Sequence, residues 1–135
     1  MLFTIRRWKM SKQSNLLFTK EHEWLEVNGN EAKIGITNFA QSELGDIIFV
    51  ELPDVGDSFD QHEVFGTIEA VKTVADLFMP ISGEVISIND KIEDEPELIN
   101  SNPFEDGWII KIKIKDDSEK GDLLSDKQYN ELINV

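Results

Sequence analysis

The segment from Trp108 to Lys115 alternates apolar and basic side chains, and this pattern constrains the fold more than any other. Three lysines fall at every second position, with isoleucines between them. Successive side chains of a strand point to opposite faces of a sheet, so the period of two predicts a half-buried strand. The expected inward row is Trp108, Ile110, Ile112 and Ile114. Large aromatic residues usually lie in small cores, so we expect Trp24 there as well as Trp108.

Further short alternating segments precede this strand, separated by turns that contain glycine or proline. Such turns fall at residues 28–30, 53–57, 80–83, 95–96 and 106–107. The alternating residues between them are Ala32, Ile34 and Ile36; Val64, Gly66, Ile68 and Ala70; and Val85 with Ser87. Many short strands between closely spaced turns predict a mainly β sandwich or barrel.

Two helices are predicted within this β pattern. Thr37 is a suitable N-cap for a short internal helix through Phe39, Ala40 and Leu44, and Gly45 is expected to end it. Near the C-terminus, Ser125 and Gln128 have the spacing of a capping box. The helix that follows is expected to bury Tyr129, Leu132 and Ile133. The sequence therefore predicts one mainly β domain with a terminal helix packed on it.

The charge of the chain disfavours nucleic acids and anionic membranes as partners. Its formal net charge is −14, and residues 21–135 carry eight basic and 27 acidic side chains. The chain has no cysteine and only two histidines, which excludes disulfides, a thiolate nucleophile, a cysteine metal site and a His-rich zinc site. The longest aliphatic and aromatic run, residues 47–50, is too short to span a membrane.

The first 20 residues differ from the rest because they carry five basic side chains and no acidic one. We expect residues 1–15 to form a flexible N-terminal extension. Two alternatives stay open: a short amphipathic targeting helix, or translation that starts at Met10 rather than Met1.

Lys72 is isolated among acidic residues. The 57 residues from Ile34 to Asp90 contain eleven acids and one basic side chain, Lys72. One predicted strand runs in from Val64 and another leaves before Pro80, so the lysine is expected near the hairpin turn between them. From position alone, an ordinary surface lysine that offsets local acidity is the simpler interpretation.

The sequence around Lys72 changes that interpretation. The run GTIEAVKTVADLFMPISGEV closely resembles the lipoyl-attachment hairpin of the glycine cleavage H-protein family. The resemblance continues in order along residues 16–135, which we expect to form a single lipoyl-carrier domain. The matching residues are His22-Glu23-Trp24, Gly35-Ile36-Thr37, Ala40-Gln41, Leu44-Gly45-Asp46, Phe49 to Pro53, Val55-Gly56, Asn89, Pro96, Leu98 to Ser101, Pro103 and Gly107-Trp108-Ile109.

The resemblance implies a flattened β-barrel or sandwich of the biotinyl/lipoyl-carrier type (a barrel-sandwich hybrid) with a C-terminal helix. It implies that lipoic acid is attached by an amide to Lys72, with Glu69 and Asp76 as flanking recognition residues. The family holds the loaded arm in a carboxylate-lined cleft, and the matching positions here are Glu23 and Asp76, with Glu21 beside them. Relatives often carry a small hydroxyl residue where this chain has Glu21. No catalytic residue and no metal site are implied.

The resemblance also implies a role as a non-catalytic carrier. The arm would take an aminomethyl group from glycine decarboxylase to a tetrahydrofolate-dependent aminomethyltransferase, and dihydrolipoyl dehydrogenase would reoxidise it. A lipoyl ligase or lipoyltransferase would attach the group, and the free carrier is expected to be a monomer. The alternative is a lipoate relay that hands lipoyl groups to other enzymes. A biotinyl domain, a 2-oxoacid dehydrogenase lipoyl domain and an independent enzyme fit less well. We expect the bacterial cytoplasm or, as an alternative, the mitochondrial matrix.

Overall fold

A computed structural model describes residues 16–133, so the expected extension at residues 1–15 lies outside the described part of the chain. Within that part, the chain folds into two antiparallel sheets with short helices between strands. The strands are β1 (Leu16–Phe18), β2 (Glu23–Asn28), β3 (Glu31–Ile36), β4 (Ile47–Glu51), β5 (Ser58–Phe59), β6 (Val64–Ala70), β7 (Val74–Phe78), β8 (Gly83–Ile88) and β9 (Ile110–Ile114). The helices are α1 (Asn38–Leu44), α2 (Lys91–Asp94), α3 (Leu98–Ser101) and α4 (Asp126–Leu132), with a 3-10 helix at Asp117–Asp122.

The two sheets differ in size and enclose the main core between them. The larger sheet has the order β1-β2-β3-β9-β8-β5, and the smaller one has the order β4-β6-β7. Ile34 and Ile110 are paired across β3 and β9, and both are fully buried. From the small sheet, Val50, Ile68 and Leu77 join the same buried cluster. The mainly β fold class is therefore confirmed, and no helix among the described residues is long and apolar enough to cross a membrane.

The inward row of β9 is confirmed for its three isoleucines, but the prediction for Trp108 was wrong. Ile110, Ile112 and Ile114 are buried, whereas Trp108 is half-buried and precedes the strand. The ring of Trp108 lies on the other face of the large sheet, 5.9 Å from Lys33 Nζ and 5.7 Å from Lys111 Nζ. The reason is that Ile109 takes the inward place, fully buried, with its N–H bonded to the carbonyl of Ile34.

The alternation expected in β6 and β8 holds only in part. Ile68 and Ala70 are buried in β6, as is Val85 in β8. Val64 is 43% exposed, because the register of β6 against β7 shifts between residues 64 and 66 and places Phe65 inward instead.

Both helix starts agree with the sequence. The hydroxyl oxygen of Thr37 accepts a hydrogen bond from Ala40 N, and Gly45 follows the last residue of α1. Ser125 and Gln128 form the predicted capping box at the start of α4. Trp24 and Tyr129 are buried with Phe18 in a second cluster, on the side of the large sheet away from the main core.

The burial predicted for α4 was partly wrong. Tyr129 is buried and its ring stacks on Phe18 with 4.7 Å between centroids, but Leu132 is 46% exposed. Tyr129 packs on β1 through Phe18, whereas Leu132, one turn further on, lies on the exposed side of α4. Ile133, just after the helix, is half-buried against the second cluster.

Candidate functional site

Lys72 lies at the exposed tip of the hairpin that joins β6 and β7. The two strands close at a hydrogen bond of 2.8 Å from Ala70 N to the carbonyl of Thr73, which leaves Val71 and Lys72 outside the ladder. The tip residues Val71, Lys72 and Thr73 are all exposed. Within the described part of the chain, no carboxylate forms an ion pair with Lys72. The hairpin therefore presents a primary amine on a rigid support.

The loop after α1 supports this tip. The carbonyl of Asp46 accepts a hydrogen bond of 3.1 Å from Val71 N. A β-carbon placed on Gly45 would lie 3.6 Å from Lys72 Cε, so the lysine stem passes near this glycine with room for a methyl group between them. Gly45 has a φ of 83°, a conformation that glycine adopts readily and other residues rarely do.

The side chain of Asn100 fixes the same loop. Its Nδ2 donates to the carbonyl of Gly45 at 2.8 Å and to Gln41 Oε1 at 2.9 Å, and its Oδ1 accepts from Ile47 N at 2.9 Å. Asn100 belongs to α3, which is distant in sequence, so alternation and turn signals gave no indication of this role.

A pocket of about 310 Å³ opens between β2, α1 and β7. It brings together all three residues predicted to dock the arm, Glu21, Glu23 and Asp76. The fourth carboxylate at its wall, Glu43, was not foreseen. The other lining residues are His22, Ile36, Phe39, Ala40, Leu44, Ile68, Ala75 and Leu77. Glu69 does not line the pocket: it pairs with Val74 and is exposed on the other face of the small sheet.

Glu23 is the buried carboxyl group of this pocket, with 2% of its surface exposed. Its Oε1 accepts a hydrogen bond of 2.8 Å from Thr19 Oγ1, and its Oε2 accepts one of 3.0 Å from Phe78 N. Burial raises the pKa of Glu23 to about 8, although these two hydrogen bonds act in the opposite direction. Near neutral pH this carboxyl group is therefore poised between its neutral and charged forms, and a cation in the pocket would favour the charged form.

His22 forms part of the pocket wall. Its Nδ1 lies 2.8 Å from Tyr129 Oη, which in turn lies 2.7 Å from Thr37 Oγ1. Burial lowers the pKa of His22, and it raises the pKa of Tyr129. This chain of hydrogen bonds connects the wall of the pocket to helix α4. Among the described residues, no cluster of three or more His, Asp or Glu side chains is arranged to hold a metal ion.

Comparison with known proteins identifies the family of the chain. The family model described as "Glycine cleavage H-protein" matches residues 16–135. The glycine cleavage system H protein of Staphylococcus haemolyticus is 49% identical over 124 residues, which cover 92% of this chain and 98% of that protein. The corresponding protein of Bacillus cereus (strain AH187) is 49% identical over 125 residues, 93% of this chain and 98% of the relative.

A solved structure shares the fold as well as the sequence pattern. The crystal structure of a glycine cleavage system H protein from Mycobacterium marinum superposes with a TM-score of 0.81. It is 30% identical, and the match covers 90% of this chain and 98% of that one. The chain belongs to the glycine cleavage H-protein family.

Proposed function

We propose that Lys72 carries a lipoyl group in amide linkage and that the chain serves as the lipoyl carrier of the glycine cleavage system. The observation that carries the proposal is the position of an exposed lysine, without an ion pair among the described residues, at a hairpin tip beside a carboxylate-lined pocket. An amide can form only at an accessible amine, and the tip supplies one. The residues present fit the group, because the exposed lysine lies two residues before β7, and β7 forms one wall of the pocket.

The lipoyl group, when bound, supplies a disulfide that accepts an aminomethyl group and is later reoxidised from the dithiol. The chain's own residues provide the tether, the support and the pocket. A tethered group is held at high effective concentration near each enzyme that docks. Glu23 and Asp76 would hold an ammonium group in the pocket, and its apolar wall, which includes Ile36, Phe39 and Ile68, would limit access of water.

The chain therefore works as a non-catalytic carrier in this proposal. Its partners are glycine decarboxylase, the tetrahydrofolate-dependent aminomethyltransferase, dihydrolipoyl dehydrogenase and the enzyme that attaches the lipoyl group. The relatives named above are bacterial, which supports the bacterial cytoplasm as the compartment. Glu69 and Asp76, on either side of Lys72 in sequence, would assist recognition by the attaching enzyme.

The pocket also favours glycine cleavage over a lipoate relay. A relay would transfer an uncharged lipoyl group and would have no use for carboxylates at the arm's resting place. Glu23 is buried even though burial opposes its ionisation. A cation brought by the arm would offset the free-energy cost of a buried charged carboxylate.

Peptide mapping tests the assignment of the lysine. Apo protein is treated with a purified lipoate ligase, lipoate and ATP, digested and mapped by mass. The added mass is expected on the peptide that contains Lys72, and modification of Lys33 or Lys91 instead would contradict the proposal. Lys72→Arg should fold and keep its charge but accept no lipoyl group, because a guanidinium group is not acylated at neutral pH.

A further inference from the structure

The outer face of the small sheet exposes apolar side chains beside Lys72. Ile48 is 51% exposed, Phe49 55%, Val71 72% and Val74 62%. Phe49 pairs with Glu69 and Glu69 pairs with Val74, so these three form one row across the sheet. Val71 directly precedes Lys72 at the tip. We call Ile48, Phe49, Val71 and Val74 the apolar patch.

The backbone of β4 exposes two consecutive apolar residues. In a regular strand, either Ile48 or Phe49 would point towards the core. The pairing passes from Ile47–Ala70 directly to Phe49–Glu69, so Ile48 is the extra residue of a β-bulge. Because of the bulge, both side chains lie on the solvent side, next to the functional lysine. Exposed apolar side chains grouped in this way, with one carboxylate, Glu69, between two of them, typically mark an interaction site.

The lysine stem approaches the loop that leads into β4. A β-carbon placed on Gly45 would lie 3.6 Å from Lys72 Cε, and Gly45 and Asp46 directly precede β4. The backbone bond from Val71 to Asp46 connects the tip to the same segment. A protein surface that reaches the amine would therefore also cover Ile48 and Phe49.

We propose that the apolar patch is the docking surface for the enzyme that acylates Lys72. This inference rests on the function proposed above. The attachment reaction takes place at the ε-nitrogen itself, so the active site of this enzyme must close over the hairpin tip. The later enzymes meet the far end of the arm and need not contact the tip. Since Glu69 lies in the middle of the row, the matching surface is apolar with a basic side chain opposite Glu69.

The reaction at this interface needs an activated acyl donor, an acyl adenylate that the attaching enzyme makes from lipoate and ATP. The neutral amine of Lys72 attacks the acyl carbon, an amide C–N bond forms, and the bond from the acyl carbon to the phosphate oxygen breaks. AMP leaves, and one amine proton passes to solvent. The patch contributes no group to this chemistry, so its loss should raise KM and leave kcat nearly unchanged.

Matched serine variants test the proposal. Ile48→Ser and Phe49→Ser remove patch residues, while Val55→Ser and Leu132→Ser remove side chains that are 60% and 46% exposed away from the hairpin. Each apo protein is acylated with a purified lipoate ligase, lipoate and ATP. For each patch variant we expect a fall of about five- to tenfold in kcat/KM, carried by KM. The controls should stay within about twofold of the wild type.

A binding measurement gives a readout that is independent of the reaction. Lys72→Arg cannot be acylated, so its complex with the adenylate-loaded ligase can be measured by calorimetry, alone and combined with Phe49→Ser or Val55→Ser. Weaker binding of the ligase only in the variant that contains Phe49→Ser supports the apolar patch as its docking surface. Equal kcat/KM for patch and control variants would overturn this proposal. A patch variant that is acylated normally but reacts poorly with glycine decarboxylase would overturn it as well. A wild-type protein not acylated at Lys72 would instead refute the proposed function, and this inference with it.

Discussion

The two sheets of this protein use their faces in different ways. The large sheet buries Ile34, Ile110 and Ile112 on one side, and it covers part of its other side with α4 and aromatic side chains. The small sheet also buries its inner side, but its outer side leaves Phe49 and Val74 in water. The hairpin that carries Lys72 belongs to the small sheet.

Because the two sheets differ in this way, we expect different residues to determine the stability of the protein and its function. Residues that the large sheet buries should determine whether the protein folds, and changes there should leave the acceptor lysine of the folded molecule intact. Residues on the outer face of the small sheet and in the pocket should affect acylation and arm docking with little effect on folding. The predictions that follow test this separation, starting with the largest expected effect.

Replacing Ile112 by alanine should cause the largest loss of stability. The side chain is fully buried between the sheets, so its removal leaves a cavity as well as lost burial, worth about 2–5 kcal/mol. Urea denaturation measures the loss. The matched change in the small sheet, Val74→Ala, should cost less than about 0.5 kcal/mol because Val74 is 62% exposed. Equal losses at the two sites would remove the distinction between the buried face of the large sheet and the outer face of the small sheet.

The pH dependence of stability should reveal the raised pKa of Glu23. Its pKa is about 8 in the folded protein and near 4.5 when unfolded, so between these values the folded chain holds a proton that the unfolded chain lacks. This contribution to stability is therefore present at low pH and is lost as pH rises to about 8. Between pH 6 and pH 9, the free energy of unfolding of the wild type should fall by roughly 2–3 kcal/mol relative to that of Glu23→Gln.

Glutamine is a suitable comparison because its amide can serve both partners of Glu23. Its oxygen can accept from Phe78 N, and its nitrogen can donate to Thr19 Oγ1. Urea unfolding of the wild type and of Glu23→Gln at several pH values gives the difference between their free energies of unfolding. Parallel curves from pH 6 to pH 9 would mean that Glu23 is ionised throughout and is not poised for a cation.

Removing the hydroxyl of Tyr129 should have a smaller effect. Tyr129→Phe keeps the ring stacked on Phe18 but removes the bridge between His22 and Thr37. We expect a loss of about 1–2 kcal/mol, because Thr37 is buried and loses this partner. Thermal unfolding measures it, with Leu132→Ala on the exposed side of α4 as the control. A loss no larger than that of the control would show that the bridge does not hold α4 to the pocket wall.

The sequence predicted regular structure well and irregular structure poorly. Alternation identified the buried isoleucines of β9 because that strand is regular where they lie. It placed Trp108 wrongly because the chain enters the sheet at Ile109, and it could not show that a bulge exposes both Ile48 and Phe49. These irregularities depend on pairing with distant strands, and a local pattern contains no information about such pairing.

The site could be predicted only with the help of the family resemblance. Glu23 and Phe78 are far apart in sequence, and their hydrogen bond follows from the closure of the sheets rather than from any spacing. The isolation of Lys72 identified the lysine as unusual, but an isolated lysine does not indicate a lipoyl group. The roles of Gly45, Asn100 and Tyr129 became apparent only from the contacts.

The central claim is that the pocket beside Lys72 holds the cationic, loaded arm. It is tested by the rate at which protein loaded with the aminomethyl group loses ammonia and formaldehyde when no aminomethyltransferase is present. Intact mass follows this decay in the wild type, Glu23→Gln, Asp76→Asn and the double variant, all first lipoylated and checked for folding.

A charged hydrogen bond to the ammonium is worth about 1.5–3 kcal/mol, so each single variant should decay roughly 10- to 100-fold faster than the wild type. The double variant should decay at least as fast as either single variant. If all four proteins lose the group at the same rate, Glu23 and Asp76 do not protect the arm, and the acidity of the pocket would be better explained as a docking surface for partner enzymes.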